Sequence, residues 1–412
     1  MSLILPKKPQ ILYSPMLASF GGGSARGFNP GGGPLRAPDF SGATGVVHAG
    51  SNAQLVRVNV SSFNGGTALV DNTDFDIAGN FPAQMLDVAW GLEDPSTIRI
   101  VGGYNDGLHT LPTNFSSGTT KVTTTDTTYI GGTRAICMCR NGYLVVTYND
   151  YLSTFKLNSN GSFTRVASIY DNGELENVQS IINPDDGGTL GTSTTIFLAS
   201  NNGPGRFKAY EIGADGSITY KQSATGITTT KQLVLSPMKS TSANTVKMMV
   251  FPGNAGIRVY DYNYVTNSFT LTNTGSTWST GKGQASTASP GWGGWTYIGS
   301  QNPGTFAKIY QNGTIQDQFE NTSLNGSHLN GLLAIEDGTS SANINGHIYW
   351  VTYNGGSSPE RRVMRTDDRS DIGFTGTEQT DEIFDNGAYG TGGAVIGTRP
   401  KYAEFDAKLA NW

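Results

Sequence analysis

Residue types that commonly carry catalysis are sparse in this sequence and do not form an arrangement typical of an active site. Histidine occurs at His48, His109, His328 and His347. The first and last lie in apolar alternating segments, which predict packed strands, and the other two lie in turn-like contexts. No G-x-S-x-G segment occurs, so there is no nucleophile elbow to pair with any of them. We therefore predict no catalytic residue.

Acidic residues gather in three short segments. They are DNTDFD from Asp71, NPDDGG around Asp185 and Asp186, and TDDRSD around Asp367, Asp368 and Asp371. The first has the oxygen density of a calcium loop but lacks its central glycine and its glutamate at the twelfth position. We interpret all three as solvated surface turns, with calcium binding and catalysis as the alternatives. We predict no metal and no cofactor.

The two cysteines, Cys137 and Cys139, stand two residues apart in AICMCRNG. On a strand they point to the same face, where neighbouring positions are poorly placed for a disulfide. A metal site would need further ligands, and the few histidines are scattered. We predict buried free thiols that pack as small hydrophobic side chains.

Two tryptophans, Trp292 and Trp295, lie in the glycine-rich segment SPGWGGWTYIG. Aromatic faces flanked by polar side chains commonly hold sugars, so both residues are candidates for glycan binding. Large rings also fill the space between packed sheets. Packing is the interpretation that we favour for these residues.

The elements that would position such residues repeat along the chain. Four segments contain a strand, a polar turn with Gly or Asn, and a second strand that opens with Phe or Ile. These opening residues are Phe163, Ile218, Phe269 and Ile315, which are 55, 51 and 46 residues apart. A short apolar run, typical of a strand buried on both faces, precedes each hairpin. With one further strand, the unit has four strands in about fifty residues.

A repeat of this length and strand number is typical of a β-propeller blade. We predict an all-β fold: a β-propeller of seven four-stranded blades over residues 43–398, with an extended glycine-rich anchoring arm over 1–42 and a carboxy-terminal tail over 399–412. A pair of β-sandwiches is the alternative, although a sandwich does not predict a regular period. Which terminus completes the last blade stays open.

Composition and charge exclude several classes of function. Glycine supplies 55 of the 412 residues, charged residues are 14%, and the net charge is −5. Without a Lys/Arg run we predict no nucleic-acid partner and no anionic membrane partner. No apolar segment approaches the ~20 residues of a membrane span. The start MSLILPKKPQ does not have the form of an export signal, so we expect synthesis in a cytoplasm.

The segment LPKKPQILYSPMLASFGGGSARGFNPGGG, residues 5–33, resembles the amino-terminal segment of virion structural proteins of tailed bacteriophages, particularly cyanobacterial phages. In those proteins a P-M-L-x-x-F-G-G-G-S-A-R-G-F type of sequence precedes varied carboxy-terminal bodies. The resemblance covers under a tenth of the chain, and the body resembles no single family closely. It implies a virion protein that assembles in the host cytoplasm with other virion proteins as partners.

The same segment has the physical features of a docking arm. An apolar cluster suits a neighbour's groove or sheet edge and contains Tyr13, Met16, Leu17 and Phe20. The glycines that follow provide slack, and Arg26 and Phe28 are predicted to make a second contact. The alternative is a disordered tail that touches nothing.

Three functions fit these observations. The first is a non-enzymatic virion structural protein, such as a tail, fibre or adaptor protein or a capsid appendage, which docks through its arm. The second is a propeller that binds a carbohydrate of the host surface. The third is a glycan hydrolase, which needs paired carboxylates on inner strands. The strand segments are poor in Asp and Glu, so the third is the least favoured.

Overall fold

The computed structural model describes many short segments of the chain, with gaps between them. They are residues 44–49, 54–59, 75–78, 87–94, 97–104, 107–112, 122–124, 133–148, 150–171, 175, 178–184, 186–200, 207–227, 233–238, 242, 244–252, 256–277, 285–290, 295–300, 305–310, 312–320, 327–338, 344–354, 361–369, 380–385 and 395–396. Side chains are described at positions between Leu108 and Ile315. The arm and the carboxy-terminal tail lie outside the described residues.

The described strands form seven antiparallel sheets, each with four strands. In spatial order, blade 1 contains β28 (Val395–Ile396), β1 (Thr44–Ala49), β2 (Gln54–Asn59) and β3 (Phe75–Ala78). Blade 2 contains β4 (Asp87–Asp94), β5 (Thr97–Tyr104), β6 (Gly107–Pro112) and β7 (Val122–Thr124). Blade 3 contains β8 (Thr133–Met138), β9 (Tyr143–Tyr148), β10 (Tyr151–Leu157) and β11 (Phe163–Tyr170).

The remaining blades follow in chain order. Blade 4 contains β12 (Val178–Ile182), β13 (Thr194–Ser200), β14 (Phe207–Ile212) and β15 (Ile218–Ser223). Blade 5 contains β16 (Leu233–Met238), β17 (Thr245–Pro252), β18 (Gly256–Asn263) and β19 (Ser268–Thr277). Blade 6 contains β20 (Ala285–Pro290), β21 (Trp295–Ser300), β22 (Thr305–Tyr310) and β23 (Ile315–Glu320). Blade 7 contains β24 (Ser327–Gly338), β25 (Ile344–Asn354), β26 (Arg361–Arg369) and β27 (Thr380–Asp385).

The first strands of the blades form a closed ring. β4 contacts β8, the contacts continue through β12, β16, β20 and β24 to β28, and β28 contacts β4. This arrangement confirms the predicted β-propeller with seven four-stranded blades, because the seven sheets follow one another around a closed ring. Two sandwiches would instead pack their sheets face to face in pairs. The second, third and fourth strands of each blade lie successively farther from the axis.

The carboxy-terminal strand closes the ring, which answers the question that the sequence left open. Ile396 pairs with Val46 and Val395 pairs with Val47, so β28 is the innermost strand of blade 1. The last part of the predicted propeller range is therefore divided between two blades, with β25 to β27 in blade 7 and β28 in blade 1. The inner strands β4 and β8 likewise begin blades 2 and 3.

The antiparallel order gives the propeller two different faces. Turns between first and second strands, and between third and fourth strands, lie on one face, which we call the terminal face. β1 begins there and β28 ends there, because Val46 and Ile396 are paired. Turns between second and third strands, and the connections between blades, lie on the opposite face, which we call the distal face.

Burial follows the position of each strand in its blade. All residues of β13 are buried, and β9 is buried except at its first residue. These second strands have a strand on each side and a neighbouring blade against each face, which explains the continuous apolar runs seen in the sequence. The outermost strand β11 is mostly exposed beyond its first residue.

A short sequence motif forms the turn before each of three outermost strands. Asn160, Asp215 and Asn312 each accept a hydrogen bond from the backbone N–H two residues later, at 2.9, 3.0 and 2.9 Å. The glycine after each has a positive φ of 84°, 83° or 79°. Asx side chains and glycine favour this geometry. In blade 5 Asn267, with φ 49°, provides the left-handed residue.

Apolar side chains fill the seams between blades. One cluster joins blades 3 and 4 and includes both cysteines, Leu198 and Tyr210. Another joins blades 4 and 5, where Phe269 packs with its ring centroid 4.7 Å from those of Phe207 and Tyr262. Hydrophobic burial, which stabilises the propeller, therefore comes from stacking one blade on the next.

The outermost strands carry a repeated irregularity. The pairing of third and fourth strands shifts register in blades 3 to 7. The extra residue on the outermost strand is Val166, Lys221, Thr272, Gln316 or Ile383. Bulges increase the local twist, and this protects an exposed sheet edge from pairing with another chain.

The structure shows where the two cysteines and two of the histidines lie. Cys137 and Cys139 are free and buried, as predicted, and burial raises the pKa of the Cys139 thiol well above its ordinary value. His109 and His328 lie in strands β6 and β24 rather than in turns, and His109 is fully buried. The expectation of turns was wrong because glycine flanks both strands without ending them.

Candidate functional site

The residues predicted to bind partners fall mostly outside the described part of the chain. This applies to Trp292 and to the arm residues Tyr13, Met16, Leu17, Phe20, Arg26 and Phe28. Their docking role stays a prediction. The described residues instead show the two faces of the propeller, its inner strands and the environment of Trp295.

Trp295 opens β21 and is covered by its own blade. It is 5% exposed, and the Nζ atom of Lys308 lies 3.9 Å from its ring centroid. Lys308 is itself 1% exposed, so this is a buried cation–π contact between neighbouring strands. The ring is not available to a sugar from solvent, and packing is the role that the structure assigns to it.

In blades 3 to 6, the inner strands and the residues directly after them present uncharged side chains at the positions where side chains are described. These are residues 135–139, 178, 180–184, 235–238 and 288–290. No Asp, Glu or His occurs among them. In the described part of the chain, no group of three or more His, Cys, Asp or Glu side chains is placed to hold a metal ion.

On the terminal face, the loop after β12 is organised by Asn183 and Asp186. Asn183 Oδ1 accepts a hydrogen bond from the Arg140 backbone N–H at 2.7 Å, and its Nδ2 donates to the Thr195 carbonyl at 2.7 Å. Asp186 accepts from the Gly188 N–H at 2.9 Å and from the Thr194 hydroxyl at 3.0 Å, and also from the Thr195 N–H.

Asp186 was predicted to be a solvated turn residue: it does lie in a turn, but its side chain is only partly exposed. Burial raises the pKa of its carboxyl group, while the hydrogen bonds from Gly188, Thr195 and Thr194 oppose the shift. Its contacts are all within one loop and its adjoining strand, which indicates a structural role. The other predicted acidic turn with described backbone, Asp367 and Asp368, lies inside β26.

A pair of threonines ties successive blades together on the same face. Thr110 of blade 2 donates a hydrogen bond of 2.6 Å to the Gly161 carbonyl of blade 3. Thr154 of blade 3 makes the same bond, also 2.6 Å, to the Gly216 carbonyl of blade 4. Both acceptors are the positive-φ glycines of the turn motif, so the turn chemistry also supplies the acceptor that joins the blades.

The distal face of blade 3 carries a row of three tyrosines. Tyr148, Tyr151 and Tyr170 are directly opposite one another on adjacent strands. The rings of Tyr148 and Tyr151 stack at 5.2 Å with an angle of 8°, and the ring centroids of Tyr151 and Tyr170 are 4.9 Å apart. Tyr148 is 1% exposed and Tyr170 is 56% exposed. The row therefore runs from the core to the solvent.

Two serine hydroxyl groups lie against this tyrosine row. Ser153 and Ser168 are a cross-strand pair two residues farther from the distal end, with their Oγ atoms 2.8 Å apart. The Tyr148 hydroxyl is 3.1 Å from the Ser153 Oγ and 3.5 Å from the Ser168 Oγ. Ser153 is fully buried, whereas Ser168 is exposed. Aromatic and hydroxyl groups thus share one face of this sheet.

The opposite face of the same sheet is tied to blade 4. Lys208, 1% exposed, places its Nζ 3.3 Å from Asp171 Oδ2. Asp171 follows β11, and its backbone N–H donates to the Asp150 carbonyl at 3.0 Å. These contacts hold the strand end that carries Tyr170, so the exposed ring stands on an ordered backbone.

Sequence reasoning missed the tyrosine row and attended to the tryptophans instead. The segment YNDY, residues 148–151, places a tyrosine on each side of a two-residue turn. In an antiparallel hairpin such residues are direct neighbours. The sequence does not show that Tyr170 belongs to this row. Its position opposite Tyr151 depends on the register of β11, which includes the bulge at Val166.

Comparison with known proteins supports the fold. No protein-family model matches the chain, and no curated protein matches it significantly. A crystal structure of a protein from Lactobacillus plantarum is similar, with a TM-score of 0.51 and 10% sequence identity, over 86% of this chain and 99% of that one. At this identity the similarity shows the fold alone.

Two further solved structures are similar at lower TM-scores. The Nup133 β-propeller domain of Vanderwaltozyma polyspora has a TM-score of 0.43 and 10% identity, over 76% of this chain and 90% of that chain. A streptogramin B lyase has a TM-score of 0.47 and 10% identity, over 74% and 85%.

Proposed function

We propose that the protein is a non-enzymatic virion structural component that docks onto the particle through its amino-terminal arm. The observation that carries this proposal is the leader at residues 5–33, with its resemblance to tailed-bacteriophage virion proteins and its apolar cluster before a glycine-rich segment. The virion location and the virion partners are part of the same proposal. The propeller is the body that the arm holds in place.

Topology supports a single point of attachment. β1 begins, and β28 ends, at the terminal face of blade 1. Residues before Thr44 and after Ile396 therefore continue from the same face of the ring. An arm that docks from there leaves the distal face pointing away from the particle.

The described inner strands favour binding over turnover. A glycan hydrolase needs two carboxyl groups about 5–10 Å apart beside the substrate. Among the inner-strand residues of blades 3 to 6 whose side chains are described, none has a carboxyl group. The inner strands β4 and β24 do contain carboxyl groups, among them those of Asp87, Asp94, Glu336 and Asp337. The part of the chain that the structure describes also contains no helix long and apolar enough to cross a membrane.

The second candidate function is carbohydrate binding at the host surface. One observation favours it, the solvent-facing end of the tyrosine row on the distal face. Tyr170 is 56% exposed and packs against Tyr151. This function is compatible with arm docking, because Tyr170 belongs to β11 and the arm precedes β1.

The experiment for arm docking compares the full chain with a chain that lacks residues 1–39. Both are mixed with particles assembled without this protein, and incorporation is measured by co-sedimentation. We expect the shortened chain to unfold at the same temperature as the full chain and to stay in the supernatant. Incorporation of the shortened chain at the full level would refute the proposal.

A substitution pair separates apolar docking from simple tethering. In the first variant, serine replaces the four apolar arm residues Tyr13, Met16, Leu17 and Phe20. In the matched control, serine replaces Gly21, Gly22 and Gly23, which keeps the segment flexible. We expect the first variant to lose incorporation and the control to retain it. The reverse result would contradict the assigned roles.

A further inference from the structure

We propose that the distal end of blade 3 binds a pyranose ring, with Tyr170 as the stacking platform and Ser168 as a hydrogen-bonding partner. This inference rests on the second candidate function and assigns it a place on the molecule. It is independent of arm docking, because Tyr170 belongs to β11 and the arm precedes β1. The ligand class is a neutral sugar, free or at the end of a glycan chain.

The aromatic part of the site is held in position before any ligand arrives. Tyr148 is buried and stacks on Tyr151, which lies 4.9 Å from Tyr170 between ring centroids. A ring that is already packed on one side loses little freedom on binding. The exposed part of Tyr170 offers an aromatic surface to the C–H groups on one face of a pyranose. Tyrosine suits a site that is apolar at one end and wet at the other.

The polar part of the site lies on the same sheet face. Ser168 is the next residue along β11 whose side chain points to the same side as Tyr170. Its Oγ is 2.8 Å from the buried Ser153 Oγ, and its exposure leaves hydrogen-bonding capacity towards solvent. A sugar hydroxyl can replace water there. Successive same-face positions on a strand are about 7 Å apart, which is close to the length of one pyranose with its hydroxyl groups.

The chemistry of the face selects a sugar over other occupants. A hydrophobic partner would require a broad apolar patch, yet Tyr170 is bordered along its strand by the polar Ser168. The position also suits a glycan on another surface, because the distal face lies opposite the face where the chain termini leave the ring. We therefore expect weak single-site binding, with a dissociation constant on the order of 1 mM.

The test uses ligand-observed saturation-transfer NMR on the full chain. The probes are the methyl glycosides of glucose, galactose, mannose, rhamnose and N-acetylglucosamine. We expect at least one probe to receive saturation on its ring C–H protons. No transfer to any probe at tens of millimolar would overturn the proposal.

Variants locate the binding. We expect Tyr170→Ala to abolish the transfer, Tyr170→Phe to retain it because stacking needs the ring, and Ser168→Ala to reduce affinity several-fold. Tyr220→Ala is the matched control, since Tyr220 is 50% exposed on the outermost strand of blade 4. Undiminished binding by Tyr170→Ala, or an equal loss in Tyr220→Ala, would refute the assignment.

These outcomes are distinguishable from a failure of arm docking. Both Tyr170 variants keep the arm and should enter particles like the full chain. A chain that lacks residues 1–39 should still bind the sugar probe. Each proposal can therefore fail while the other stands.

Discussion

The hydrogen bond between Thr154 and Gly216 is predicted to stabilise the seam between blades 3 and 4. The bond is 2.6 Å long and buried, and Thr154 is fully buried. Thr154→Val keeps the shape of the side chain but replaces the hydroxyl with a methyl group. The Gly216 carbonyl then stays in the seam without its donor.

The expected cost follows from the two changes in that seam. Loss of an intramolecular hydrogen bond costs about 1 kcal/mol, and an unsatisfied buried partner raises the cost to about 1–3 kcal/mol. Valine's preference for strands offsets about a few tenths of a kcal/mol of this cost. We therefore expect the free energy of unfolding to fall by about 1–2.5 kcal/mol. Urea unfolding measures this change, provided that m, the slope of the free energy of unfolding against urea concentration, is the same in both chains.

The neighbouring seam provides an internal replicate. Thr110 makes the same 2.6 Å bond to Gly161, so Thr110→Val should cost a similar amount. The two bonds lie in different seams, and distant substitutions add to within about 0.5 kcal/mol. The double variant should therefore show the sum of the two single effects. The control is Thr270→Val at an exposed position of β19, which should change stability by less than about 0.5 kcal/mol.

A clear result would refute this reasoning. If Thr154→Val and Thr110→Val unfold at the same urea concentration as the parent chain, the two bonds do not hold the seams. If Thr270→Val costs as much as they do, the effect belongs to threonine in general.

Three further predictions concern the closely packed turn in blade 6, the buried tyrosines and the closing strand. Gly275→Ala should prevent stable folding, because its Cβ would lie 2.2 Å from the Gly313 carbonyl oxygen. The control is Gly187→Ala, where φ is +83° and no atom beyond the adjacent residues lies within 4 Å of the added Cβ. In urea unfolding, this control should lower the free energy of unfolding by only about 1–2 kcal/mol. Burial raises the pKa of Tyr262 from 10.0 to about 12, so this residue's contribution to stability is complete below pH 10.0 and is lost as the pH rises to about 12. Tyr262→Phe should show a smaller alkaline shift of the urea midpoint. Deletion of residues 395–412 removes β28 and leaves β1 as an unpaired inner edge, so size-exclusion chromatography should show aggregation; a monomeric, cooperative product would contradict its closing role.

Much of the fold could be predicted because its signals are local. The turn motif around Asn160, Asp215 and Asn312 depends on a side chain two residues from its partner. The buried second strands were visible as apolar runs. Of the four residues predicted to open the second strand of a hairpin, Phe163, Ile218 and Ile315 do so, whereas β19 begins one residue before Phe269. The period of about fifty residues then indicated a propeller.

The candidate site was harder to predict because it depends on register. Tyr148 and Tyr151 are neighbours in sequence, but Tyr170 joins them only through the pairing of β10 with β11. Asp186 looked like a surface carboxylate because glycine follows it. Its burial depends on the packing of its loop against β13, which no short-range pattern records.

The sequence by itself determined the strands, their turns and the number of blades, because alternation, Asx-Gly turns and apolar runs act over a few residues. Only the tertiary structure decided that β28 closes the ring, that β1 begins and β28 ends on one face, and that three tyrosines meet on the other. Those outcomes depend on contacts between residues far apart in the chain, such as Val46 with Ile396. Many pairings satisfy the same local pattern, and the closed packing of all seven blades selects one of them.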